Sequence, residues 1–107
     1  MDAREQRMAE NEALFREVNE RVQDAVTHGD ATYDYFCECA NVDCTFRVTL
    51  VPADYEAVRA DSKQFVVLPG HYTPEVEQLV ADHGTYWLVR KDGEAGEMVE
   101  KLDQRSR

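Results

Sequence analysis

The stretch Tyr33-Asp34-Tyr35-Phe36-Cys37-Glu38-Cys39-Ala40-Asn41-Val42-Asp43-Cys44-Thr45-Phe46-Arg47-Val48-Thr49-Leu50 decides how the chain is read. Tyr33, Tyr35, Cys37 and Cys39 alternate with Asp34, Phe36 and Glu38, the period of two that marks a strand, and aromatic residues are dense here. Residues 40–43 read as a turn. Residues 45–50 alternate again, with Phe46, Val48 and Leu50 on one face. The two runs make a hairpin whose cysteines gather at its closed end. Residues two apart on a strand point the same way, so the Cys37 and Cys39 sulfurs are neighbours, and the intervening residues suffice to return Cys44 to the same point.

Thiolates clustered without a cation repel one another and desolvate badly, which is a physical reason to expect a metal ion. Zinc takes four such ligands tetrahedrally, at about 2.3 Å per sulfur, and here needs one more. Cys-x-Cys-x4-Cys is less diagnostic than paired Cys-x2-Cys knuckles. Three histidines compete for the fourth place. His71 follows Pro69-Gly70 directly after a strand, a sharp turn that holds an imidazole beside the hairpin end. His83 lies at a helix-to-strand junction and His28 at the end of a long helix; a carboxylate or water stays open. His71 is favoured, so that Cys37, Cys39, Cys44 and His71 surround one Zn2+. Asp43, Glu38 or a backbone carbonyl would then accept the other ring proton. A Cys3His site is closed and structural, whereas a missing fourth ligand leaves the open position that a zinc enzyme requires.

Other readings of the same residues compete. Cysteine is among the most buried residue types, and each of the three would serve as core filler. A disulfide from Cys44 to Cys37 or Cys39 leaves one thiol over, the pattern of a redox sensor. Catalytic pairing of Cys39 or Cys44 with His71 lacks a visible orienting residue or oxyanion device.

Outward from the hairpin, residues 2–28 read as one amphipathic helix. Met8, Leu14, Phe15, Val18, Val22, Ala25 and Val26 recur at spacings of three and four, and Gly29 is a good stop. At 1.5 Å per residue it is close to 40 Å long, against a radius of gyration near 13 Å for a domain of this size, so part of it is expected to project, fray or pack on a partner. Asn11 and Asn19 are poor helix formers on nearly one face, free to bond to a partner or to the domain itself. Glu12-Arg16 and Glu17-Arg21 are spaced as supporting ion pairs. Pro52 opens a short helix with Tyr55 and Val58 inward. Phe65-Val66-Val67-Leu68 is a short strand, and Thr73-Pro74-Glu75 caps a second short helix through Val76, Leu79 and Val80. Tyr86-Trp87-Leu88-Val89-Arg90 is the last strand, with Trp87 and Tyr86 read as core or rim. Asp92-Gly93 turns the chain into a final helix bearing Ala95, Met98, Val99 and Leu102, with Glu94, Glu97 and Glu100 on its solvated face.

The fold class is therefore α+β: a long N-terminal helix over residues 1–29, then a single zinc-binding domain over 30–102, then a flexible tail over 103–107. Its sheet has about four strands, mostly antiparallel, with short helices and a zinc-pinned hairpin. At 107 residues and 43% hydrophobic content the chain is one domain with a modest core, burying roughly 65% of its unfolded surface. The odd cysteine count fits a pure disulfide framework poorly. With 22 acidic and 12 basic residues the net charge is −10. The basic residues are scattered without a patch, which argues against direct nucleic-acid binding. Neither a secretory signal nor a membrane span is present, so the expected location is the cytoplasm, where thiols stay reduced.

Three motifs resemble those of a group of small uncharacterised bacterial proteins. The pattern N-E-x-x-F-R-x-V-N-E matches Asn11 to Glu20, F-x-C-E-C-x4-C matches at Cys37 to Cys44 with Tyr35 in place of its phenylalanine, and P-G-H matches Pro69 to His71. A further E-Y-E-x-V-R matches at Tyr55 to Arg59, with Asp54 in place of the first acid. The resemblance spans residues 11–90 and brings no activity with it. The reading is a small non-enzymatic zinc-binding protein that contacts another protein, possible routes being the N-terminal helix or a homodimer, as an interaction or regulatory module. A thiol redox switch and a zinc enzyme with an open coordination position stand as alternatives.

Overall fold

The computed structural model describes residues 1–106. In chain order the elements are α1 (Ala3–Ala25), β1 (Tyr33–Phe36), β2 (Arg47–Leu50), α2 (Pro52–Val58), β3 (Gln64–Val67), β4 (Glu77–Asp82), β5 (Trp87–Lys91) and α3 (Gly93–Lys101), with a 3-10 turn at Gln104–Ser106. The class is α+β, but the strands form two antiparallel sheets where one was expected. β1 pairs with β2, and a second sheet has the order β3-β5-β4.

The additional strand is β4, in the place expected to be helical. Thr73-Pro74-Glu75 does start a helical turn, and the Val76 and Glu77 amides both donate to the Thr73 carbonyl at 3.1 and 2.9 Å. After that single turn the chain extends, because Glu77–Asp82 pairs with β5. Tertiary ladder bonds outweigh a local cap signal. A bulge between Leu79 and Ala81 interrupts the register, and Leu79 and Val80 on this edge strand are 42% and 48% exposed.

The hairpin forms in the expected frame, with Tyr35 opposite Val48 and Tyr33 opposite Leu50. Val48 and Leu50 are buried, but Phe46 is 59% exposed rather than on their face. The ladder ends at Arg47, and beyond it only the Cys37 amide still reaches the Phe46 carbonyl, at 3.1 Å. Past the end of the ladder no pairing holds Phe46 to the face of Val48 and Leu50. Pro52 stands at the first turn of α2, which buries Tyr55 and Val58 as expected, and Tyr55 stacks on Tyr35 with ring centroids 4.7 Å apart.

The first helix turns a polar face inward. Of its expected apolar stripe Met8 is buried, Leu14 and Ala25 are exposed, and Phe15, Val18, Val22 and Val26 are half-buried. The buried line also runs through Glu12, Arg16, Asn19, Glu20 and Gln23. Each has a partner in the body. Arg16 donates to the Ser62 carbonyl at 2.5 Å and the Val99 carbonyl at 2.6 Å, with its guanidinium 4.8 Å from the Phe65 ring centroid. Glu20 accepts from Arg59 at 3.1 Å, and Gln23 accepts from the Tyr35 hydroxyl at 2.5 Å. Glu12 and Arg16, spaced as an ion pair, are thus each engaged elsewhere. The helix packs on the body along residues 8–23 rather than projecting, within a radius of gyration of 12.8 Å.

The C-terminal segment expected to be loose is also held. Asp103 is buried against Arg59, and Arg105 bridges Glu20 at 2.6 Å and Glu56 at 2.9 Å. Arg107 lies outside the described residues. In α3, Ala95 and Val99 face the core, and a Cβ on Gly96 would stand 2.5 Å from the Lys91 carbonyl oxygen, so the helix backbone rests directly on the end of β5.

Lys91 closes the structure from that end. Its Nζ lies 2.6 Å from Glu12 and 3.7 Å from Glu77, all three side chains being buried. Burial pushes the Glu12 pKa well up, and the neighbouring Glu77 carboxyl adds to the rise. A raised carboxyl pKa favours the fold below its unfolded value and loses that contribution as pH rises. Lys91→Met is expected to cost about 3–5 kcal/mol in urea unfolding at pH 8, with a smaller deficit at pH 5 where Glu12 takes up a proton. An equal deficit at both pH values would refute the triad.

Candidate metal centre

Two segments distant in sequence supply the site. The first is the loop that closes the β1–β2 hairpin. Cys37 leaves β1, and the Asn41 carbonyl accepts from the Cys44 amide at 3.0 Å while the Asn41 side chain accepts from the Asp43 amide at 3.0 Å. This tight Asx-type turn folds Cys44 back toward Cys37 and Cys39. The second segment is the end of β3. The His71 amide donates to the Leu68 carbonyl at 2.9 Å across Pro69-Gly70, with Gly70 at φ +85°. That is the type II turn in which proline presets the first corner and glycine supplies the left-handed second.

The turn delivers the imidazole to the thiols. His71 Nδ1 is 3.6 Å from Cys37 Sγ and 3.8 Å from Cys44 Sγ. One ligand atom from each of Cys37, Cys39, Cys44 and His71 lies within 4.8 Å of all the others. A tetrahedral zinc with ordinary bond lengths has edges of about 3.6 Å between sulfur and nitrogen and about 3.8 Å between sulfurs. The donor set fits such an ion in type, number and spacing. The three cysteines are free thiols and buried, and His71 is half-buried. The Leu68 amide points at Cys37 Sγ at 3.3 Å, a donor that favours sulfur carrying negative charge.

No protein-family model, curated protein or solved structure matches this chain. The other two histidines are elsewhere: His83 stacks on Tyr86 with centroids 4.6 Å apart, and His28 Nε2 lies 3.2 Å from the Gln23 carbonyl oxygen. Phe46 meets His71 edge-on at 5.5 Å, and Tyr72 meets Trp87 likewise at 5.5 Å. An open recess of about 260 Å³ lies beside the cluster, lined by Cys39, Asn41, His71, Tyr72 and Thr73.

The thiols are not equivalent. Cys39 is held down to about 5, chiefly because it accepts a hydrogen bond from Cys37. That same bond, with burial, pushes the Cys37 thiol far up, and burial raises Cys44. The four residues that the sequence pattern singles out lie together, and its mid-helix asparagines bond to the domain; the pattern misses the inward role of Glu38. Glu38, between two of the cysteines, is fully buried with its carboxylate on the opposite side, and Asn11 and Asn19 of α1 bond to the same segment. The signal for the asparagines was their poor helix propensity, which called for a partner. In metal-free protein Cys39 is expected to alkylate first and Cys37 last, with the Cys39 rate rising through about pH 5. Site-resolved mass spectrometry of iodoacetamide-treated protein measures the order, and uniform reactivity would contradict this geometry.

Proposed function

We propose that this chain is a small non-enzymatic zinc-binding protein whose Cys37, Cys39, Cys44 and His71 hold one Zn2+ as a structural ion, and that it acts as a protein-interaction or regulatory module of the cytoplasm. The observation that carries the reading is the convergence of four donors, from two distant segments, at tetrahedral spacing. A small domain gains from such an ion because metal-binding free energy is then folding free energy. His71 supports a closed site over an enzymatic one, since it takes the position that catalysis would leave open.

The partner is taken to be another protein, met through the outward face of α1. There Leu14, 51% exposed, shares a shallow recess with Leu102, Glu10 and Glu17. A second copy of this chain is the competing occupant, and a light-scattering mass decides between them. Direct nucleic-acid binding is disfavoured by the net charge of −10. Among the described residues no helix is long and apolar enough to cross a membrane.

Purified protein is expected to carry about one zinc per chain by elemental analysis. Chelation should lower the melting temperature by about 10 °C or more, since 1 kcal/mol moves a domain of this size by about 4–8 °C. Cys39→Ser should match the chelated protein and His71→Ala should fall between it and the parent. A metal-free sample with an unchanged melt would end this reading. A thiol redox switch is the second reading, favoured by the open recess that the buried Cys39 helps to line. Loss of two thiols for each zinc released by mild peroxide supports it, and thiols that persist in the loaded protein exclude it.

A further inference from the structure

Helix α1 hydrogen-bonds to each of the three residues that alternate with Cys37 and Cys39. The Phe36 amide donates to Asn19 Oδ1 at 2.7 Å, and the Phe36 carbonyl accepts from Asn19 Nδ2 at 2.8 Å. The Glu38 carboxylate accepts from that same amide nitrogen at 2.9 Å. The Ala40 carbonyl accepts from Asn11 Nδ2 at 2.9 Å. Eight helical steps from Asn11 to Asn19 rise about 12 Å, within the span of about 13–14 Å that four residues from Phe36 to Ala40 can reach. One helix thus holds both ends of the cysteine segment.

Glu38 is the middle of this arrangement and joins it to two further elements. Its carboxylate also accepts from the Tyr55 hydroxyl of α2 at 2.6 Å and from the Val66 amide of β3 at 3.1 Å. Its own amide donates to the Val66 carbonyl at 2.8 Å. The side chain therefore supplies the acceptor that a neighbouring strand would have offered to β3. That lets the chain leave regular pairing at the cysteines without orphaning a buried amide. The Glu38 side chain turns to α1, α2 and β3, whereas Cys37 and Cys39 on either side of it lie together with His71.

We infer that α1 is a splint for the metal-ligand segment, with Asn11, Asn19 and Glu38 as positioning residues that set the cysteine thiols in place before an ion arrives. This deepens the zinc reading and rests on it for the metal, but not for the thiol geometry. Its consequence is linkage: docking of α1 and occupancy of the site strengthen one another, and whatever draws α1 away weakens metal affinity by the same factor. A protein that engages α1 then regulates the site, and zinc regulates the availability of α1.

The test compares full-length Asn11→Ala and Glu38→Gln with Val99→Ala, a core truncation in α3. Competition against a chromogenic chelator should show zinc affinity reduced about tenfold or more in the first two and changed less than about twofold in the third, although all three melt lower. Hydrogen exchange over residues 3–25 should slow on zinc addition in the parent and respond less in Glu38→Gln. In the metal-free proteins, amide exchange of residues 36–40 should speed up in both positioning variants and stay parental in Val99→Ala. Variants that melt lower yet keep parental zinc affinity and parental exchange at residues 36–40 overturn the splint. A parent that binds no zinc would instead defeat the metal reading, and exchange at residues 36–40 alone would then decide the inference.

Discussion

The Asn19 side chain lies against the Phe36 peptide as a strand would, accepting from its amide and donating to its carbonyl. This contact lets a helix adjoin the free edge of a hairpin without leaving backbone groups unpaired, and the remaining contacts of α1 follow the same logic. Arg16 satisfies carbonyls of the loop before β3 and of α3. Glu20 and Gln23 meet Arg59 and Tyr35. Buried polar groups cost free energy unless each finds a partner, so one face of α1 constrains the placement of nearly every other element.

The site inherits its precision from that seam. Hydrophobic contacts specify volume but little direction, whereas hydrogen bonds to residues 36, 38 and 40 specify both the register and the facing of the cysteine segment. The type II turn at Pro69-Gly70 does the same for His71 from the other side. Two independently braced segments then meet at distances that suit a tetrahedral ion. Preorganisation of this kind leaves less ordering for the metal to impose.

Much of this was legible in the residues, and the failures share a cause. The hairpin, α2, β3, β5 and α3 follow local signals: alternation, proline at a helix start, a short β-branched run, a glycine after aspartate. The four donors were legible because cysteine spacing on a strand and an imidazole after Pro-Gly are local geometry too. β4 was missed because its ladder partner lies ahead in sequence, and only pairing with β5 turns a capped helical start into a strand. The inward face of α1 was missed because a period of 3.6 in apolar residues assumes that charge seeks water. Here Glu12, Arg16 and Glu20 are each neutralised or hydrogen-bonded by residues far along the chain. The fate of residues 103–105 turned on Arg59 and Glu20 in the same way.

A core held by directional polar contacts also inverts the usual pattern of evolutionary freedom. Leucine, isoleucine, valine and methionine replace one another in packed interiors at modest cost, so Val48, Val58 or Val99 are free to drift among apolar types. No such exchange exists for Asn19, Glu38 or Arg16, because a substitute must reproduce both shape and the placement of donors and acceptors, and a partner left unpaired carries the full desolvation penalty. Divergent descendants of this fold would therefore be recognisable less by their hydrophobic pattern than by a few invariant amides and charges on a helix that looks, by composition, as though it belonged in solvent.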